Sequence, residues 1–451
     1  MVEGPVLLLL LVLAILLIIF ATAVLSIHPF LVLLVVSYLV GIFAGMPGAE
    51  TISAITDGFG GTLGSIGMVI AAGTIIGAIL EKSGGTVVMA NSVLKWVGQA
   101  RSALAMSITG AVVSIPVFCD SGFVILSSLN KSLASKANKS LAIYAVALSM
   151  GLYSTHVFVP PTPGPIAAAG TLNADLGSVI LLGVLTTIPV IMVTYFFAQF
   201  IGGRIYIDPD EVELAEGKPE STRDIDPDKL PSVLLSFLPI VVPMLLIAIR
   251  SILQFPSLNI PESGVTGFFN FMGDPNTALI IGVLLAFFTA NKSTGVVLGD
   301  WVGGGLKSAG TIILITGAGG AFGSVLRATP IGDFLGNSMA QWNLGILLPF
   351  LIAAAIKTAQ GSSTVSIITT ASIMVPLLSV IGLDTGMGPA LVTLAIGAGA
   401  MTVSHANDSY FWVVSQFSGM EVSQAYKLQT LSSAVAGFTG IITVFILSFI
   451  F

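Results

Sequence analysis

Two short polar stretches interrupt segments otherwise too apolar for a soluble surface. They are Phe118-Cys119-Asp120-Ser121-Gly122 and Lys357-Thr358-Ala359-Gln360-Gly361-Ser362-Ser363-Thr364. The surrounding runs are long, and the stretch from Val6 to Ile27 carries no charge at all. About 20 apolar residues in a helix span the roughly 30 Å hydrocarbon layer. Only 8% of the 451 residues are charged, where a soluble domain has about 25%. The apolar runs are continuous rather than alternating, which favours helices over a barrel. The chain therefore reads as an all-α polytopic membrane protein. Broken backbone at membrane depth survives only inside protein or beside a cavity. The two polar stretches are read as tips of re-entrant hairpins, over roughly 102–135 and 344–380.

Ten crossings are expected, at about 6–27, 29–46, 63–81, 141–157 and 177–201, then 232–254, 276–291, 309–327, 388–404 and 428–450. The first is too long for a signal-peptide core and is read as a retained span. The stretch 82–100, with Lys82, Lys95 and Trp96, reads as an interfacial helix. Segment 202–231 holds nine acidic residues against four basic ones and reads as a solvated linker. The net charge of −6 mostly reflects that loop, and nothing points to nucleic acid. Cys119 is the sole cysteine, so no intrachain disulfide forms.

The linker separates two units, 1–201 and 232–451, that repeat. Ala72 to Leu80 matches Ala318 to Leu326, the hairpin tips align with Asp120 opposite Gln360, and Ser154-Thr155-His156 aligns with Val403-Ser404-His405. Five crossings per unit is an odd number, so the second unit lies inverted. Inverted repeats with broken helices mark transporters, whose solute sites fall at the repeat interface. With alternating crossings, thirteen of the 16 lysines and arginines fall on one side, leaving Arg250, Arg327 and Lys357 opposite. The positive-inside rule makes the richer side cytoplasmic, with both termini outside.

Asp120 is the sharpest signal, because an intramembrane carboxylate is costly unless it works. A group of this kind is a candidate proton carrier; its bland alternative is an acid bonded to its own tip. If helices start at the tips, their free N–H groups favour an anion. Ser121, Gly122, Thr358, Gln360, Gly361, Ser362, Ser363 and Thr364 are the candidate solute ligands there, although hydroxyls also serve helix packing. Lys357 either binds the anion or snorkels to the interface. Four prolines between 160 and 165 cannot continue a helix, so the span breaks at 156–165, with Thr162 free to line a cavity. Its counterpart is the break at 404–409. His156 and His405 sit at these breaks and are candidate coupling groups, since a histidine side chain ordinarily titrates near neutrality; a structural role is the alternative. Asn407 is a candidate ligand and Asp408 a candidate coupling acid. No metal-ligand spacing occurs, no cofactor is called for, and no nucleotide or hydrolase motif supports an enzyme.

These residues resemble the gluconate permease family of bacterial proton symporters, which also includes D-serine transporters. The resemblance rests on Phe118 through Phe123, His156 through Pro165, Lys357 through Thr364 and Ser404 through Tyr410, and runs along nearly the whole chain. It implies an elevator-type carrier in the bacterial inner membrane, a homodimer, importing a small organic acid anion such as gluconate with protons. The anion's carboxylate would sit between the tips and its hydroxyls would meet Thr162, Ser362, Ser363 and Asn407. A D-serine carrier, a sodium-coupled carrier and a cation/proton antiporter of similar architecture stay open. A membrane enzyme acting through Ser121 or His405 is the remote alternative.

Overall fold

The computed structural model describes residues 5–25, 27–98, 101–210, 212, 230–254, 261, 263–290, 295–329, 344–405 and 408–451. Most of the expected linker lies outside them. The described residues are helical, without strands. The first part of the chain forms α1 (Pro5–Ala23), α2 (Pro29–Phe43), α3 (Gly48–Lys82), α4 (Gly85–Val97), α5 (Ser102–Val113), α6 (Cys119–Lys136), α7 (Leu141–Phe158), α8 (Pro163–Thr171) and α9 (Leu176–Gly202). The second forms α10 (Val233–Leu253), α11 (Gly264–Met272), α12 (Pro275–Phe287), α13 (Gly295–Arg327), α14 (Leu347–Gln360), α15 (Ser363–Met374), α16 (Gly388–Met401), α17 (Ser409–Phe417), α18 (Val422–Ala425) and α19 (Leu431–Leu447). A π-helical turn over Tyr426–Thr430 joins α18 to α19.

Among the described residues five helices are long and apolar enough to cross a membrane, or up to seven if each of two bent pairs is one span. Several expected crossings are shorter: α2 has 15 residues and α16 has 14. Two others extend further than sequence suggested. The crossing placed at 63–81 belongs to a 35-residue helix that starts at Gly48. The crossing placed at 309–327 starts at Gly295. The added half of α3 carries Glu50, Thr51, Ser53, Thr56 and Asp57, which hydropathy rejects. Helical spacing absorbs these groups: the Ser53 hydroxyl donates to Asp57 Oδ2 at 2.9 Å, one turn on.

Small residues set the central packing. Helices α3 and α13 run antiparallel against each other. A side chain at Gly58 would strike the Gly320 carbonyl and Ser324, and one at Gly305 would strike the backbone of Thr74 and Ile75. Gly77 lies against the Pro116 carbonyl in the break between α5 and α6, so α3 holds the first hairpin by backbone contact. Helices α7 and α16 are buried along their whole lengths. Protein surrounds both on every side, and each ends at a break in the molecular centre.

Candidate functional site

Four chain interruptions meet at this centre. Between α5 and α6 the helix stops at Val113 and restarts at Cys119 after Pro116. Between α14 and α15 the turn is made by Gly361, whose φ of 89° suits a residue without Cβ. Between α7 and α8 the break covers 159–162, narrower than expected. Pro163 and Pro165 lie inside the new helix, in its first turn, where a missing N–H costs nothing. The break between α16 and α17 includes Val403 at φ 57°. A β-branched residue in the left-handed region is strained, and such strain gathers at working sites. The Ser404 backbone there is fully used: its N–H donates to Ser433 Oγ at 2.8 Å and its carbonyl accepts from Thr430 Oγ1 at 2.6 Å.

Lys357 is the hub. It is wholly buried, which overturns the snorkelling alternative. Its Nζ lies 2.6 Å from Asp408 Oδ2 and donates to the Gly361 carbonyl. The Ser404 hydroxyl donates to the same Asp408 oxygen, and the Tyr410 N–H donates to Oδ1 at 3.1 Å. Asp408 therefore caps α17 and anchors the second hairpin at once. The Tyr153 ring centroid is 6.0 Å from Lys357 Nζ. The Tyr153 hydroxyl reaches the Ser363 side chain and donates to the Ala400 carbonyl at 3.3 Å.

Asp120 sits in the first turn of α6, against Ser409 and within electrostatic range of Asp408 and Lys357. Its Oδ1 is buried, without a hydrogen-bond partner among the described residues. The Cys119 thiol, a weak donor, lies 3.9 Å from Oδ2. His156 is buried beside the Phe118 ring, with centroids 5.8 Å apart, and its Nδ1 also lacks a partner. Two buried polar atoms without partners at one centre call for an explanation.

The other expected site residues are placed separately. Ser362 caps α15, accepting from Val365 N–H at 3.3 Å; Thr364 follows it, half-buried. Thr162 is buried, but its hydroxyl donates to the Val159 carbonyl at 2.7 Å, so it is engaged within its own break. Gly122 is buried against Leu152. His405 stands apart from Asp120 and Lys357 in its bonding: its Nε2 donates to the Thr358 carbonyl at 2.8 Å, tying the second break to the second hairpin. Asn407 and the Gln360 side chain lie outside what is described. Sequence reasoning missed Tyr153 and Glu81. Glu81 touches Ser121 at the first tip. Its signal was an acid directly after the repeated Ala72–Leu80 motif; Tyr153 had none.

The arrangement ties an ion pair, a helix cap and a hydroxyl together. It is a closed ionic centre holding two helix starts and two unmatched polar atoms. Comparisons with known proteins agree with a carrier. The chain is 31% identical to a gluconate permease of Pseudomonas aeruginosa, over 94% of each protein. It is 32% identical to a D-serine transporter of Escherichia coli, again over 94% of each. The Neisseria gonorrhoeae MtrF structure, described within a class of antimetabolite efflux pumps, shares the fold with a TM-score of 0.68 at 16% identity, over 94% of this chain and 96% of that one. The GntP family permease model matches residues 6–450, so the chain belongs to that family and is a membrane permease rather than an enzyme.

Proposed function

We propose that the chain is a secondary carrier of the inner membrane that imports gluconate or a related small hydroxy acid anion together with a proton. The charge count at the centre carries this reading. Asp120 and Asp408 stand against the single Lys357, and the Asp120 Oδ1 has no donor. A solute carboxylate entering there meets a site already short of positive charge. Like charges 4 Å apart repel by about 4 kcal/mol at an effective dielectric near 20. A proton on Asp120 removes that repulsion, so proton and anion favour each other's binding, and the coupling is reciprocal. Lys357 then shares its ammonium between Asp408 and the solute, beside the α15 N-terminus with Ser362, Ser363 and Thr364. His156 Nδ1 faces the solute as a further polar partner. The gluconate and D-serine transporters among the relatives support a small-acid substrate.

The architecture fits alternating access. The antiparallel contact of α3 with α13, repeat mates by sequence, supports inverted repeats. In this reading α1, α2, α10 and α12 form the scaffold and the dimer face. The two hairpins and broken helices move as one body past them, elevator-fashion, with both termini outside.

A second reading follows from the same free oxygen. Asp120 Oδ1 suits the ammonium of D-serine as well as a hydroxyl. Reconstituted vesicles given labelled gluconate or D-serine under an imposed pH gradient separate the two. Concentrative gluconate uptake that needs the gradient and ignores sodium is the expected result. Uptake that follows sodium at fixed pH would remove proton coupling.

A further inference from the structure

The last helix meets the ionic centre through an irregular turn. Helix α19 lies close against the ends of α16 and α7. A side chain at Gly437 would strike Thr402 and the Ala398 carbonyl, and one at Gly440 would strike Phe158. Just before this contact comes the π-helical turn over Tyr426–Thr430. Such turns pair residues five apart and gather at functional sites. Two hydroxyls are built into this one: Ser432 donates to the Leu428 carbonyl, and Ser433 donates to the Thr430 carbonyl at 2.9 Å. Thr430 and Ser433 hold both backbone groups of Ser404, whose hydroxyl donates to Asp408 Oδ2. Gln429, wholly buried, bonds instead to α7, where its Oε1 accepts from Ser149 Oγ at 2.8 Å. The Ser149 carbonyl accepts from the Tyr410 hydroxyl at 3.0 Å. Tyr410 in turn donates its N–H to Asp408 Oδ1 at 3.1 Å. Its ring meets Phe123 of α6 edge-on at 6.3 Å between centroids, and Tyr153 at 5.2 Å. Bonded chains from the π-turn thus reach both Asp408 oxygens, Oδ2 through Ser404 and Oδ1 through Ser149 and Tyr410.

We propose that Gln429 is a positioning residue of the ionic centre: through Ser149 and Tyr410 it fixes Asp408 in the orientation that lets Lys357 be shared with the solute. The role rests on the carrier reading, in which Lys357 meets the solute anion. Gln429 Nε2 has no partner among the described residues. A buried amide left half-bonded is costly, so filling the seam between α7 and α19 does not by itself account for a glutamine there. A glutamine that only filled the seam would affect stability and leave solute affinity alone.

The full chain in detergent is assayed for equilibrium binding of labelled gluconate and for thermal unfolding, and in vesicles for counterflow. Gln429→Leu should weaken binding about tenfold, the upper end of one hydrogen bond's net worth. It should raise the half-saturation of counterflow by the same factor and leave the maximal rate near wild type. Ser149→Ala cuts the same bond from the other side, keeps the carbonyl that Tyr410 uses, and should give the same loss. Tyr410→Phe keeps the ring and the N–H to Asp408, and should also cost about tenfold. Because the three act in series, Gln429→Leu combined with Tyr410→Phe should lose about tenfold, where independent sites would lose about a hundredfold. Wild-type affinity in both Gln429→Leu and Ser149→Ala overturns the role, whatever their melting temperatures. So does a hundredfold loss in the double variant. If the wild type binds no gluconate, the substrate reading falls on its own. The cycle of Gln429→Leu with Asp408→Asn in melting temperature then decides the positioning role: coupled losses keep it, and additive losses overturn it.

Discussion

The two hairpins have related tips and opposite electrostatics. In the second, Lys357 precedes the turn and is closed off by Asp408 and the Gly361 carbonyl. Its following helix is capped by Ser362. In the first, Asp120 follows the turn, the helix has no side-chain cap, and one carboxylate oxygen finds no donor. The second tip is electrically finished and tethered to α17. The first keeps an unmatched negative charge next to the same Asp408. The proposed symport uses both conditions: a fixed cation to hold an anion, and an acid whose occupancy changes. Identical tips would have supplied one of these twice.

The largest effect separating the tips should come from Lys357→Met. Breaking a buried ion pair leaves Asp408 uncompensated and costs roughly 3–5 kcal/mol. Thermal unfolding in detergent should show a large fall, with transport lost. The double variant Lys357→Met with Asp408→Asn should recover most of the stability and none of the transport. A stable single variant would mean that Asp408 is not held by Lys357. Asp120→Asn should cost little stability, about 0.5 kcal/mol or less, because the amide keeps the shape and can still accept from Ser409. It should abolish pH-driven accumulation while counterflow persists, and continued accumulation would move the proton to another acid.

Packing offers a milder contrast. Gly77 and Gly323 occupy matching places in the repeated motif, yet they meet different neighbours. A Cβ at Gly77 would overlap the Pro116 carbonyl, whereas one at Gly323 stops 3.2 Å from the Ser372 carbonyl. Gly77→Ala should destabilise by about 1–3 kcal/mol, as overpacking does, and Gly323→Ala by clearly less. Equal melting temperatures would show that the first hairpin yields freely. The smallest effect belongs to Ser362→Ala, which removes the α15 cap and costs about 1 kcal/mol. The same loss in solute binding is about fivefold in affinity, measurable by equilibrium binding of labelled gluconate.

Helix breaks were legible in the chain because their causes are local. Prolines at 116, 160 and 161 and the glycine at 361 forbid or end helices wherever they are placed. Apolar runs around them require a bilayer or a buried core. From these alone followed the helical membrane class, the helix breaks at both polar stretches, and the segments that carry Asp120, Lys357, His156 and Asp408. The polar first half of α3 was not legible, since hydropathy scores composition and not the face that each residue occupies.

Pairing was beyond the sequence for a different reason. Lys357, Asp408 and Ser404 lie on segments whose mutual register depends on which helix faces meet, and no local preference encodes that. The same holds for Tyr153 reaching Ser363, for Glu81 reaching Ser121, and for Thr162 spending its hydroxyl on Val159. Local steric rules act within a few residues, so they place the breaks. The charge left over at Asp120 is a sum over four breaks, and only their packing against one another decides it.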